Sequence, residues 1–293
     1  MLRIGIDLGG TKIEGVVLEA GRILFRKRIP TEQEGGYEHI LGRIRLLYEE
    51  MAAIAGGRPY TFGIGTPGAL SRHTGLLKNS NTLCLNGRPL KADLERLLGR
   101  RVEVQNDANC FAMAEALQGA GTGKELVFGV ILGTGCGGGI VMNGQVRTGP
   151  QAIAGEWGHM RIDPNGPLCY CGQRGCVETY ISGGGLEARY KERFGEALSF
   201  VEIAERYRRQ EADAVSFLRD FFENFGRAMA NLVNILDPDV IVLGGGVSNF
   251  EAIYTEGVAA VAKHVFSDSF DTPIVKHRLG DSAGVIGAAL IGV

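Results

Sequence analysis

The chain lacks the long apolar runs, the charge excess and the cysteine abundance that mark several large classes of protein. No stretch of its 293 residues approaches the roughly 20 apolar positions that span a bilayer, so neither a membrane-spanning helix nor a membrane partner is expected. A formal net charge of −2 provides no electrostatic reason to bind nucleic acid. The opening, MLRIGIDLGGTK, lacks the basic region, apolar core and small-residue cleavage site of a secretory signal. A cytoplasmic location is expected, where thiols stay reduced. There are only six cysteines, and in a reducing compartment a disulfide staple among them is disfavoured. The remaining balance, 45% hydrophobic and 22% charged, describes an ordinary globular protein, long for one core and sufficient for two lobes.

Glycine is the abundant residue: 45 positions, about twice the usual share. The glycines gather at the ends of predicted strands. LRIGID, IEGVVLE and RILFRKRI read as three antiparallel strands on short links. Ile40, Ile44, Leu47 and Met51 recur at helical spacing and predict a helix over about 37–55. TFGIG is a strand, RPLKADLERLLG a helix punctuated by Pro and Gly, RVEVQ a strand, and a helix starts near Asp107. The pattern then restarts: ELVFGVIL, a glycine turn, GIVM, an Asn143–Gly144 hairpin turn and QVRT. After a cysteine loop the chain is mostly helical over about 179–236. VIVL follows as a buried strand, GGGVSN leads into a helix, PIVKHR is a strand and DSAGVIGAALIG a last helix. Two related α/β lobes with a cleft between them are expected: 1–117, and 118–280 carrying the cysteine loop, with the final helix, 281–293, packing back on the first.

Three glycine turns invite a nucleotide. In IDLGGTK, Gly9, Gly10, Thr11 and Lys12 follow Asp7 at a strand end. Glycines let backbone N–H groups crowd a phosphate because no Cβ blocks the approach. A carboxylate would repel that phosphate, so Asp7 fits such a role through an intervening Mg²⁺; a plain hairpin turn with a solvated Asp is the other reading. GTGCGGG, with Gly133, Thr134, Gly135, Cys136 and Gly137, formally contains a dinucleotide pattern but runs into a hairpin rather than a helix. A nicotinamide site is therefore rejected in favour of a second phosphate-cradling hairpin. Gly244, Gly245 and Gly246 form the third turn, open enough for the flat face of a base or ribose. This order of parts resembles the actin-like superfamily of sugar kinases and ATPases, which clamp ATP between two lobes.

Half of the cysteines lie in one short loop. Cys169, Cys171 and Cys176, with His159 ten residues upstream of the first, supply one imidazole and three thiolates, a sufficient set for a closed structural Zn²⁺ site. Three incidental thiols are the bland alternative. Cys84, Cys110 and Cys136 lie apart and read as small fillers.

CYCGQRGCVE together with GEWGH, IDLGGTK, NDANC, GTGCGGG and LGGGVSN resembles the ROK family, which joins bacterial sugar kinases and sugar-responsive repressors. The likeness covers essentially the whole chain in order. It implies the two-lobed actin-like (ribonuclease H-like) sugar kinase fold, with an interlobe cleft that holds ATP and a hexose. It implies Asp107 as general base, where Asp107 as a mere helix N-cap is the alternative. It also implies sugar contacts from Asn81, Asn106, Asp107, Glu156, His159 and Glu178, with zinc fixing one nitrogen of His159 and leaving the other for a sugar hydroxyl. NSNTLCLNG and VILGTGCG are most similar to fructokinase or broad hexokinase members, so fructose is the expected substrate, with mannose or glucose as slower ones. N-acetylglucosamine kinase and glucokinase are the runners-up. A homodimer is the expected assembly. A sugar-responsive regulator is disfavoured because no helix-turn-helix segment precedes the first strand.

Overall fold

The computed structural model describes residues 1–292. β1 (Leu2–Leu8), β2 (Lys12–Glu19) and β3 (Arg22–Pro30) form an antiparallel meander, with Ile6 opposite Gly15 and Asp7 opposite Glu14. α1 (Gly36–Ala55) buries Ile40, Ile44, Leu47 and Met51 and stops at Gly56 in the left-handed region, φ 60°. Each of those fully buried side chains stabilises the lobe by roughly 1.5–3 kcal/mol. β4 (Tyr60–Thr66) pairs parallel to β1; β5 (Ala69–Leu70) and β6 (Leu77–Lys78) make a small ribbon. α2 (Leu90–Leu98), β7 (Glu103–Asn106), parallel to β4, and α3 (Asp107–Gln118) follow.

β8 (Leu126–Leu132), β9 (Cys136–Met142) and β10 (Gln145–Val146) repeat the meander, and Asn143 (φ 52°) and Gly144 (φ 72°) make the tight turn that a two-residue hairpin demands. Four helices come next: α4 (Val177–Ile181), α5 (Gly183–Phe194), α6 (Phe200–Arg208) and α7 (Ala212–Leu236). β11 (Val240–Gly244) pairs parallel to β8, α8 (Glu256–Ala262) follows, β12 (Ile274–Lys276) pairs parallel to β11, and α9 (Ala283–Ile291) ends the chain. The sheet orders are β3-β2-β1-β4-β7 and β10-β9-β8-β11-β12. Each is a three-strand meander whose first strand takes two parallel neighbours on its other side, so one α/β plan occurs twice.

The structure adds detail to the sequence-based expectation in the division of the chain, at the last helix and after the third glycine turn. Among the described residues the chain divides into one compact unit of 1–123, 139–154 and the segment from 278 on, and a second of 124–138 and 155–277. β9 crosses that division along its own length. Its residues from Gly139 on lie with the first unit, where a Cβ on Gly139 would sit 2.9 Å from Asn109 Cα of α3. The expected last helix begins at Ala283 rather than 281, after a 3-10 turn over Gly280–Ser282, and residue 293 lies outside the described residues. GGGVSN, too, differs from the expectation, since it does not enter a helix directly. Two 3-10 turns, Gly246–Asn249 and Glu251–Tyr254, come before α8. The Ser248 hydroxyl donates to the Gly245 carbonyl at 2.7 Å and keeps the chain in a tight turn.

α9 lies in the first unit, flat against β1, β4 and α3, because glycines remove the side chains that would hold it off. A Cβ on Gly5 would meet the Val285 carbonyl at 2.6 Å, and one on Gly63 would reach Ile291 Cγ1 at 2.8 Å. Among the described residues, no helix is long and apolar enough to cross a membrane.

Candidate active site

In the first unit the site residues stand where regular elements end. Asn106 closes β7 and caps α3: its Oδ1 accepts from Ala108 N–H at 2.8 Å and Asn109 N–H at 3.3 Å. The capping role that an isolated Asp107 would be given thus belongs to its neighbour. Asp107 is the exposed first residue of α3, its Oδ1 also accepting from Ala108 N–H at 2.8 Å. Asp7 leaves the end of β1. Burial, then the charges of Asp107 and Glu14, push its carboxyl up to about 7. Two carboxylates facing one another in this way favour either a shared proton or a cation, and a divalent ion would reverse the shift at Asp7.

The space around Asp7 comes from two glycines that lie outside every motif of the sequence. A Cβ on Gly284 would lie 2.8 Å from Asp7 Oδ2, and one on Gly65 would lie 3.4 Å from Oδ1. The turn beyond Asp7 is held by Thr31, whose hydroxyl donates to the Gly9 carbonyl at 2.6 Å and whose N–H donates to the Thr11 carbonyl at 3.0 Å. Thr11 and Lys12 are exposed. Asn81 is exposed on a loop clamped by Asn86, which accepts from Ser80 N–H and donates to the Ser80 carbonyl, both at 2.8 Å.

The second unit gathers the other glycine turns. Gly183 N–H donates to the Gly133 carbonyl at 2.7 Å and Gly184 N–H to the Thr134 carbonyl at 3.1 Å. The start of α5 therefore fastens the GTGCGGG turn and spends those N–H groups on it. Gly245, φ 82°, backs onto the same turn, for a Cβ there would sit 2.8 Å from Gly133 N. In sequence terms the run Ser182–Gly185 is simply part of a helical stretch. Its use as a platform depends on a partner 50 residues away.

Glu178 joins this turn to the cysteine loop. Its Oε2 accepts from Cys136 N–H at 2.9 Å, and its Oε1 lies 3.9 Å from Cys169 Sγ. Burial, with Glu178 and Glu156 nearby, holds the Cys136 thiol well above its ordinary range, which suits an inert filler. Trp157 Nε1–H donates to the Gly137 carbonyl at 3.1 Å, so Glu156 and His159, both half-buried, flank an indole anchored on the turn.

All six cysteines are free thiols. The ligand atoms of His159, Cys169, Cys171 and Cys176 lie within 4.8 Å of one another. Cys169 Sγ is 3.7 Å from His159 Nδ1, and Cys171 Sγ is 3.6 Å from Cys176 Sγ. A tetrahedral zinc with ~2.3 Å Zn–S and ~2.0 Å Zn–N bonds places its ligands about 3.5–3.8 Å apart, so the set fits that ion. Burial and neighbouring thiols hold Cys169 up, and push Cys176 up to about 12. At Cys171 burial opposes ionisation, but the Gln173 N–H and the two other thiols bring it below its usual value. A divalent cation bound here would displace the thiol protons. The outward His159 nitrogen, Nε2, is 3.1 Å from the hydroxyl of Tyr170, a residue that no spacing or motif in the sequence singles out.

The ROK family model matches residues 3–292, and the chain belongs to that family. It is 40% identical over 303 residues to an N-acetyl-D-glucosamine kinase of Vibrio atlanticus, with 99% of each chain covered. Among solved structures it resembles a ROK hexokinase from Thermus thermophilus, with a TM-score of 0.90, 33% identity, and 100% of this chain and 98% of that one covered. It also resembles a ROK glucokinase from Streptomyces griseus in complex with glucose and AMPPNP, with a TM-score of 0.81, 30% identity, and coverage of 100% and 99%. The fold is accordingly the α/β fold of ROK kinases. The fructose expectation finds no support among these relatives. The short NSNTLCLNG likeness that carried it is outweighed by identity along the whole length to kinases named for another sugar.

Proposed function

We propose that this protein transfers the γ-phosphoryl group of ATP to the primary hydroxyl of N-acetyl-D-glucosamine. The observation that carries the reaction class is the acidic pair of the first unit: a carboxyl held up to about 7 beside an exposed one at a helix start. That electrostatic arrangement serves a nucleotide bound with a cation and a base for an incoming hydroxyl. The sugar follows from the full-length likeness to N-acetyl-D-glucosamine kinases.

In this reading Asp107 accepts the hydroxyl proton as that oxygen bonds to the γ-phosphorus; the bond to the bridging oxygen breaks and ADP leaves. Asn81 and Asn106 orient the sugar, Glu156 and Glu178 receive its hydroxyls, and His159 serves it through its outward nitrogen. Asp7, the turn Gly9–Lys12, the turn Gly133–Gly137 and Gly244–Gly246 receive the nucleotide. Mg²⁺ with ATP would supply charge neutralisation near Asp7. Zn²⁺ on His159, Cys169, Cys171 and Cys176 would supply a cross-link with no open coordination position.

Glucose is the second reading, favoured by the likeness to the hexokinase and to the glucose-bound glucokinase. Coupled ADP-release assays across N-acetyl-D-glucosamine, glucose, N-acetylmannosamine and fructose test both. The expected order in kcat/KM is N-acetyl-D-glucosamine first and fructose last; turnover of fructose above the other sugars would overturn the assignment.

A further inference from the structure

Tyr170 stands between two of the four clustered ligands, Cys169 and Cys171, with its side chain 82% exposed. Its neighbours hold it there: its hydroxyl lies 3.1 Å from His159 Nε2, and its ring meets the imidazole edge-on, centroids 5.3 Å apart at 81°. Proton bookkeeping around this contact is directional. His159 presents Nδ1 to the thiol cluster, at 3.7 Å from Cys169 Sγ. An imidazole that gives Nδ1 to a cation carries its proton on Nε2 and donates it outward. The Tyr170 oxygen then accepts from His159, and its own O–H remains to donate.

Of the polar side chains assigned to sugar in this unit, Glu156 and Glu178 are carboxylates, which only accept, and the Nε2–H of His159 is taken by Tyr170, so that His159 reaches the sugar through the Tyr170 hydroxyl. One oxygen of Glu178 is already engaged by Cys136 N–H. Such a set suits sugar hydroxyls, which can donate to it. An acetamido group differs: its carbonyl only accepts, and its methyl is apolar. The unit therefore needs one outward donor beside one exposed apolar surface, and Tyr170 carries both on a single ring. An ordinary tyrosine hydroxyl keeps its proton at neutral pH and can donate it.

We propose that Tyr170 determines specificity for N-acetylated hexosamines: its hydroxyl, oriented by His159 Nε2, donates to the acetamido carbonyl while its ring packs against the acetamido methyl. This rests on the N-acetyl-D-glucosamine reading above.

The test compares wild type, Tyr170→Phe and Tyr170→Ala on N-acetyl-D-glucosamine and on glucose, with zinc content and melting temperature measured on each. Tyr170→Phe keeps the ring and loses the donor, so kcat/KM for the N-acetylated sugar should fall about tenfold, through KM, while that for glucose stays within about twofold. Tyr170→Ala should lose a further several-fold on the N-acetylated sugar alone. Metal content and melting temperature should match wild type in Tyr170→Phe. Equal losses on both sugars would show that Tyr170 acts only by holding His159, and no loss on either would show that it touches no substrate; each result overturns the proposal. The wild-type rates separate this from the parent reading. Wild type inactive on N-acetyl-D-glucosamine overturns both, whereas an active wild type with an unchanged sugar ratio in Tyr170→Phe overturns this proposal alone.

Discussion

Asp7 and Asp107 stand at the end of a strand and the start of a helix, whereas His159 ends the short 3-10 turn Trp157–His159 and the three cysteines lie in the stretch between that turn and α4, which has no helix or strand. The first pair is positioned by ladders and caps that would exist without any site. β1 pairs with β2 along its whole length and with β4 from Leu2 to Asp7, and Asn106 caps α3. The second set is positioned by a few loop hydrogen bonds, such as Ile162 N–H to the Gly175 carbonyl at 2.9 Å and Val177 N–H to the Met160 carbonyl at 2.8 Å. Fixing an irregular backbone costs as much conformational entropy per residue as fixing a strand, with fewer hydrogen bonds to offset it. A metal cross-link would there be part of the folding equilibrium itself. Chemistry and shape should be separable in the first region and inseparable in the second.

The strongest way to break this contrast is Asp107→Asn. The substitution keeps the shape and the Asn106 cap, so turnover should fall by ~10²-fold or more while the sugar KM and the melting temperature stay near wild type. Stopped assays with a parallel melting curve read both, and a loss of stability matching the loss of turnover would erase the distinction.

Cys171→Ser probes the other region. Zinc content by elemental analysis should drop to background, the sugar KM should rise, and the melting temperature should fall by on the order of 10 °C, all together. Metal-free wild type with normal sugar affinity would show that loop hydrogen bonds suffice.

The smallest expected effect sharpens the first region. Asp7 has its carboxyl raised from 3.8 to about 7 in the folded, metal-free chain. The folded state then binds more protons than the unfolded one over that interval, so stability should decrease as pH rises from about 4 to about 7. The sign follows from burial disfavouring the charged form. Asp7→Asn should flatten this dependence by a few degrees in melting temperature, and Mg²⁺ should stabilise wild type above pH 7 more than the variant. Identical pH profiles would mean that Asp7 is not the group responsible.

Most of the architecture was legible because periodicity and punctuation are local. The Ile40–Met51 stripe, Gly56 and Gly99 at helix ends, and Asn143–Gly144 each act through neighbours a few residues away. The convergence of His159 with the cysteines was legible for a similar reason, since all four lie within eighteen positions of one loop. Gly65 and Gly284 were not, because their meaning is the room they leave around Asp7, a residue distant in sequence. Nor was the course of β9, where the chain passes from one compact unit to the other within a strand.

The amino-acid sequence by itself determined the repeated strand plan, the glycine turns and the chemistry of the thiol loop, since hydrophobic period, φ preference and ligand type are properties of single residues and short windows. Only the tertiary structure decided which carbonyls the start of α5 would engage, that Asn106 rather than Asp107 would cap α3, and that the Tyr170 hydroxyl would meet His159 Nε2. These outcomes turn on which partner a polar group finds first within about 3 Å, and such a partner is chosen by packing, not by spacing along the chain.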